Sequence, residues 1–206
     1  GRARRFHVTA HGGGRQSPPS NEVVFESPPC PRVVRVTFES IDTGEMGDDE
    51  WWAHGESVGP VYGSFWAEGA TRERLEFRGV DRGDWWGERD SGFRLAHNTH
   101  YAIQDIFDRI WTWMQGYMSS PYYAPDRNYV DVELGAYRTL VVGGTILDAD
   151  SGNADDTLFN GELRIPWAEV VPGRHTVSDG NITLTVLVDV IVGPEAGDRP
   201  DLVITG

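Results

Sequence analysis

The stretch Val33-Val34-Arg35-Val36-Thr37-Phe38-Glu39-Ser40-Ile41 decides the fold class. Val34, Val36 and Phe38 alternate with Arg35, Thr37 and Glu39, and an apolar period of two marks a strand with one buried face. Similar β-rich runs recur at Val61 to Glu68, Arg74 to Phe77, Tyr129 to Leu134, Thr139 to Leu147, Leu158 to Ile165, Ile182 to Val192 and Leu202 to Thr205, with Gly, Pro, Asn and Asp clusters between them. About eight short strands at this spacing predict an all-β fold, an antiparallel β-sandwich.

One segment departs from the pattern. Tyr101, Ile103, Ile106, Phe107, Ile110, Met114 and Tyr117 recur at helical spacing, between Asn98 or Thr99 as N-cap candidates and a stop at Pro121. One amphipathic helix around 98–119 is therefore expected as an insertion between strands, with Trp111 and Trp113 partly off its apolar stripe. Residues 1–30 carry Arg2, Arg4 and Arg5, then Gly12-Gly13-Gly14 and Ser17-Pro18-Pro19-Ser20, with no apolar periodicity. They are expected to form a flexible N-terminal arm, with room for one short edge strand at Glu22 to Phe25. Residues 31–206 then make a single domain.

The 206 residues carry a formal charge of −14, with 32 acids against 18 bases, and every base is Arg. Such a field repels phosphate backbones, so nucleic acid is not an expected partner. It suits multivalent cations or a high-salt medium. No run reaches the roughly 18 to 20 apolar residues a membrane-crossing helix needs. Cys30 stands alone, so the chain has neither a disulfide framework nor a thiolate metal site of its own. The start at Gly1, without Met or a leader-like stretch, is expected of a processed product or a part of a longer protein.

Two acidic turns carry the chemical signal. Ile41-Asp42-Thr43-Gly44-Glu45-Met46-Gly47-Asp48-Asp49-Glu50 ends the first good strand, and Asp148-Ala-Asp150-Ser-Gly-Asn-Ala-Asp155-Asp156 follows the strand ending at Leu147. Oxygen-rich clusters of this kind suit Ca²⁺, which takes six to eight oxygens in flexible geometry. An EF-hand is excluded, because Asn153 and Phe159 stand where that loop needs Gly and Glu, and the flanks are strands. Five residues separate Asp42 from Asp48, and five separate Asp150 from Asp156, with Asp148 two places earlier. In these features the sequence resembles a calcium-binding C2 domain, over roughly residues 33–193.

That resemblance implies an eight-stranded antiparallel sandwich whose loops at one end gather Asp side chains. It assigns calcium-ligand roles to Asp42, Asp48, Asp148, Asp150 and Asp156. The Gly-containing strand Leu158-Phe-Asn-Gly161-Glu-Leu-Arg-Ile165 looks like the one after the family's third loop. Departures are the long stretch Asp49 to Pro60 before the second strand, the gap from Asp156 to Gly161, and the 80–128 stretch, an insertion relative to a minimal domain.

Trp51-Trp52 directly follow the first acidic turn, and Trp85-Trp86 sit in a polar stretch, Asp81 to Asp90. Such pairs either enter a membrane interface or stack on a sugar, or else cap the edge of the core. His97 and His100 lack the His-Glu-x-x-His arrangement, and the nucleophile-elbow and phosphate-loop motifs are missing, so a non-catalytic role is expected. Paired acids for glycoside cleavage stay open, because their separation belongs to the fold. The reading that follows is a Ca²⁺-dependent binding module whose ion engages an anionic lipid surface, a glycan or a protein, with Trp51, Trp52, Trp85 and Trp86 as ligand contacts. The alternatives are a structural subunit of a larger extracellular or viral assembly, homo-oligomeric or otherwise, in which Ca²⁺ only stabilises loops, and a secreted carbohydrate-binding or hydrolytic domain. An extracellular or cell-surface location is the expectation that goes with these readings.

Overall fold

The computed structural model describes residues 3–6, 9, 11–20, 23–26, 31–45, 57–81, 91–116, 123–149 and 156–191. Eight longer strands frame the two sheets of the sandwich: β1 Arg32–Thr43, β2 Ser57–Glu68, β3 Arg72–Arg78, β4 Tyr129–Leu134, β5 Leu140–Asp148, β6 Thr157–Ile165, β7 Gly173–Asp179 and β8 Ile182–Ile191. One sheet runs β3-β2-β5-β6 and the other β4-β1-β8-β7, with every pairing antiparallel. The period-two reading of 33–41 holds in the burial of Val34, Val36 and Phe38. The expected strand at Leu202 to Thr205 lies outside the described residues. β7 was not legible as a strand, because as an edge it buries only Val177.

Both strands on one flank are interrupted. Along β2, β3 ends at the pair Arg78↔Tyr62, and a short strand, Arg94–Ala96, takes over at Arg94↔Pro60. Along β1, the strand His100–Ala102 ends at Ala102↔Ser40, and β4 resumes at Tyr129↔Thr37. The insertion expected over 80–128 is thus two excursions, 79–93 and 103–128, separated by residues that stay in the sheets.

The second excursion contains the helix, α1, Ile103–Gly116. It begins after, and not at, the N-cap candidates Asn98 and Thr99, because His100–Ala102 pair their backbone with β1. A ladder partner already in place outweighs a local capping preference. Ile103, Ile106, Phe107 and Ile110 are each no more than 3% exposed. Phe107 joins a run of rings between the sheets: centroids are 5.3 Å apart for Phe38–Phe65, 5.4 Å for Phe65–Phe77 and 5.9 Å for Phe77–Phe107.

The N-terminal segment carries more pairing than a single edge strand. Ala3–Phe6 pair with Val23–Glu26, and His11–Gly12 pair with Arg15–Gln16. Gly13 and Gly14 have φ of 55° and 76°, the left-handed backbone that a two-residue hairpin requires.

On the outer face of the β4-β1 sheet, Arg35 donates from Nε and Nη2 to the two oxygens of Asp131, each at 2.8 Å. This fork holds the Asp131 carboxyl below its ordinary range.

Candidate functional site

Four connections meet at one end of the sandwich: the β1–β2 loop, the 97–99 turn that carries the chain between sheets, the β5–β6 loop and the β7–β8 turn. Hydrogen bonds tie them together. Thr43 Oγ1 lies 2.6 Å from the Ala96 carbonyl and 3.1 Å from that of Thr99, and it accepts from Thr99 N at 2.9 Å. Asn98 N donates to Gly44 O at 3.0 Å, and Asn160 N donates to Asp179 Oδ2 at 2.7 Å. Ala149 N donates to Pro60 O at 2.9 Å, fixing the start of the β5–β6 loop to β2.

Asp148 shares its strand parity with Leu140, Val142 and Ile146, so it faces the interior between the sheets and is 8% exposed. Its N–H donates to the Asp156 carbonyl at 2.8 Å and closes the neck of the acidic loop. The backbones of Asp148 and Asp156 are thereby brought together, with Asp156 exposed. Asp150 and Asp48, the ligands expected between them and from the other loop, lie outside the described residues.

Asp42 points elsewhere. The register between β8 and β1 passes from Thr185↔Ser40 to Val186↔Phe38, so Glu39 is the extra residue of a bulge. Strict alternation carried on from Val34 would turn Asp42 inward. The bulge instead buries Ile41 and Thr43 and leaves Asp42 on the outer face. There it stands opposite His100, with Asp42 Oδ1 2.7 Å from His100 Nδ1. The five-residue spacing that made Asp42 a partner of the later loop does not bring its carboxylate to the side of Asp148. Among the described residues, no three His, Cys, Asp or Glu side chains stand where one ion would reach them all.

The tryptophan pairs Trp51-Trp52 and Trp85-Trp86 lie outside the described residues. By chain position the first belongs to the β1–β2 loop and the second to the 79–93 excursion. His97 lies in the turn and His100 in a strand.

A second feature escaped the sequence reading. The outer face of the β3-β2-β5-β6 sheet holds an open groove of about 830 Å³. Cross-strand register builds it in rows. Glu76, Ser64, Thr145 and Asn160 form a polar row straight across the four strands. To one side, Arg78, Tyr62 and Leu147 align; to the other, Arg74, Trp66 and Gly143. A Cβ on Gly143 would lie 2.8 Å from the Trp66 ring, so only a bare backbone lets the indole lie flat there. The Arg72 guanidinium stacks 4.6 Å above that indole. Tyr123, returning from the helical excursion, exchanges backbone hydrogen bonds with Arg78 at 2.6 and 3.0 Å and supplies a wall that is 52% exposed. The available sequence signal was the alternation of Arg72, Arg74, Glu76 and Arg78, which places four charged side chains on one strand face.

No family model matches the sequence. No curated protein matches it either. Among solved structures, human GIVD cytosolic phospholipase A2 is similar over 82% of this chain and 17% of its own, at 14% identity and a TM-score of 0.43. A C2 domain of plant extended synaptotagmin 1 is similar over 80% of this chain and 97% of its own, at 8% identity and a TM-score of 0.37. Drosophila C2-DSL-EGF1 follows over 77% and 67%, at 9% identity and a TM-score of 0.33. This chain spans less than a fifth of the phospholipase's length. These likenesses concern architecture alone; what the described residues themselves show is an antiparallel β-sandwich with one inserted α-helix.

Proposed function

We propose that this chain is a Ca²⁺-dependent binding module whose ion sits in the β5–β6 loop. The observation that carries the reading is the loop neck: Asp148 buried at its root, hydrogen-bonded through its backbone to Asp156, at the end where the β1–β2 loop also emerges. Asp148 and Asp156 carry the hard oxygen donors that Ca²⁺ takes, and with Asp150, between them in sequence, and Asp48, from the neighbouring loop, they are the donor set of this reading. Asp42 does not fit, because it stands on the outer face beside His100, and it is left out of the set. When bound, Ca²⁺ offsets the charge of the gathered carboxylates and accepts an oxygen from an anionic lipid headgroup, a glycan or a protein. Trp51 and Trp52, on the loop that carries Asp48, supply apolar contact beside it.

Thermal unfolding with and without Ca²⁺ tests the reading. A ligand that binds only the folded chain stabilises it by about 2.7 kcal/mol at a hundred times its dissociation constant. A rise in midpoint is expected at millimolar Ca²⁺. It should vanish in Asp148→Asn with Asp150→Asn, and persist in Asp42→Asn. No rise in the unsubstituted chain, or a rise that needs Asp42, would overturn the assignment.

A further inference from the structure

We infer that the outer-face groove is a binding site for an acidic oligosaccharide, a short run of sugar rings bearing carboxylate or sulfate groups. The site needs no cation and lies on the other side of the sheet from Asp148. Local charge is the first argument. The chain as a whole carries −14, yet Arg72, Arg74 and Arg78 line this one groove with Glu76 as the acid among them. A local reversal of sign draws an anionic ligand to that face, and the planar guanidinium fork matches carboxylate or sulfate oxygens. The existing ion pairs are weak competitors: Arg72 lies 3.8 Å from Glu68 and Arg74 3.3 Å from Glu76, all four side chains well exposed.

The second argument is the uncharged row. Ser64, Thr145 and Asn160 cross the groove beside the arginines, and hydroxyl and amide groups both donate and accept, as sugar hydroxyls require. A ligand of phosphate or carboxylate alone would leave that row unused. The third is aromatic. Tyr123 offers an exposed ring at the wall, with Tyr62 in the neighbouring row, and the apolar face of a sugar ring stacks on such surfaces. Arginines for sparse charge, a neutral row for hydroxyls and a ring for stacking together describe one class of ligand.

Isothermal titration of the full chain in EDTA tests this independently of any calcium result. The probes are hexagalacturonate, a sulfated hexasaccharide, fully methyl-esterified hexagalacturonate and phosphatidylserine vesicles. At least one acidic hexasaccharide should bind, and the neutral ester should bind at least about tenfold more weakly than the acid from which it is made. Arg74→Ala with Arg78→Ala should weaken the acidic probe at least about tenfold, the equivalent of about 1.4 kcal/mol, with the unfolding midpoint unchanged. Tyr123→Ala should weaken it without altering the preference for acid over ester. Failure of both acidic probes to bind, equal binding of acid and ester, binding that ignores the arginines, or binding of vesicles in place of saccharides would each overturn the proposal.

Discussion

Replacing Phe107 with Ala asks whether α1 belongs to the core or is only attached to it. The ring is fully buried, with centroids 5.9 Å from Phe77 and 6.5 Å from Phe65, so truncation empties space between the two sheets. Losing the burial of such a ring and leaving a cavity in its place together cost about 3–5 kcal/mol. For a chain of this size each kcal/mol moves the midpoint by about 2–4 °C, so the midpoint should fall by about 6–20 °C. Circular dichroism followed in the helix and strand signals should show both lost in a single transition, because Ile103, Ile106 and Ile110 enter the same core. Trp111→Ala serves as the control, since Trp111 is 38% exposed on the same helix and should change stability far less. A fall of under about 3 °C for Phe107→Ala, or a helix that melts ahead of the sheets, would refute the reasoning.

Thr43→Val keeps the shape of a side chain that is 6% exposed and removes the hydroxyl that holds the 97–99 turn. Leaving Thr99 N–H without its acceptor should cost about 1–3 kcal/mol in urea unfolding, with faster amide exchange at Thr99 as the local sign. Asp131→Asn should remove a pH-dependent increment of stability. Because Arg35 lowers the folded-state pKa of Asp131, that increment is present above the ordinary carboxylate range and is lost as pH falls through the folded value. The gap in urea midpoint between the unsubstituted chain and the variant should therefore close on acidification, and a gap that widens would contradict the assignment.

The sandwich was legible because its strands bury one face each: Val34, Val36 and Phe38 announce β1 without help from the rest of the chain. The apolar stripe of α1 was legible for the same reason. Its start was not, since the fate of His100–Ala102 depends on an edge of β1 offered from far away in sequence. The acidic loops were visible as composition and spacing, but spacing does not encode facing. Phe38-Glu39-Ser40-Ile41 holds two polar residues between apolar ones, a local trace of the bulge that turns Asp42 outward. The groove was harder still, because its rows exist only once four strands take their register, and its wall arrives from residue 123.

Tyr123 is carried by the excursion between Ala102 and Tyr129, while the arginines belong to a strand that any eight-stranded sandwich of this topology possesses. Under the proposed reading, the charge and the exposed aromatic at this face come from two separate stretches of the chain. Transplanting residues 103–128 into a plainer scaffold would bring the aromatic without the charge, and exchanging the strand alone would bring the charge without the aromatic.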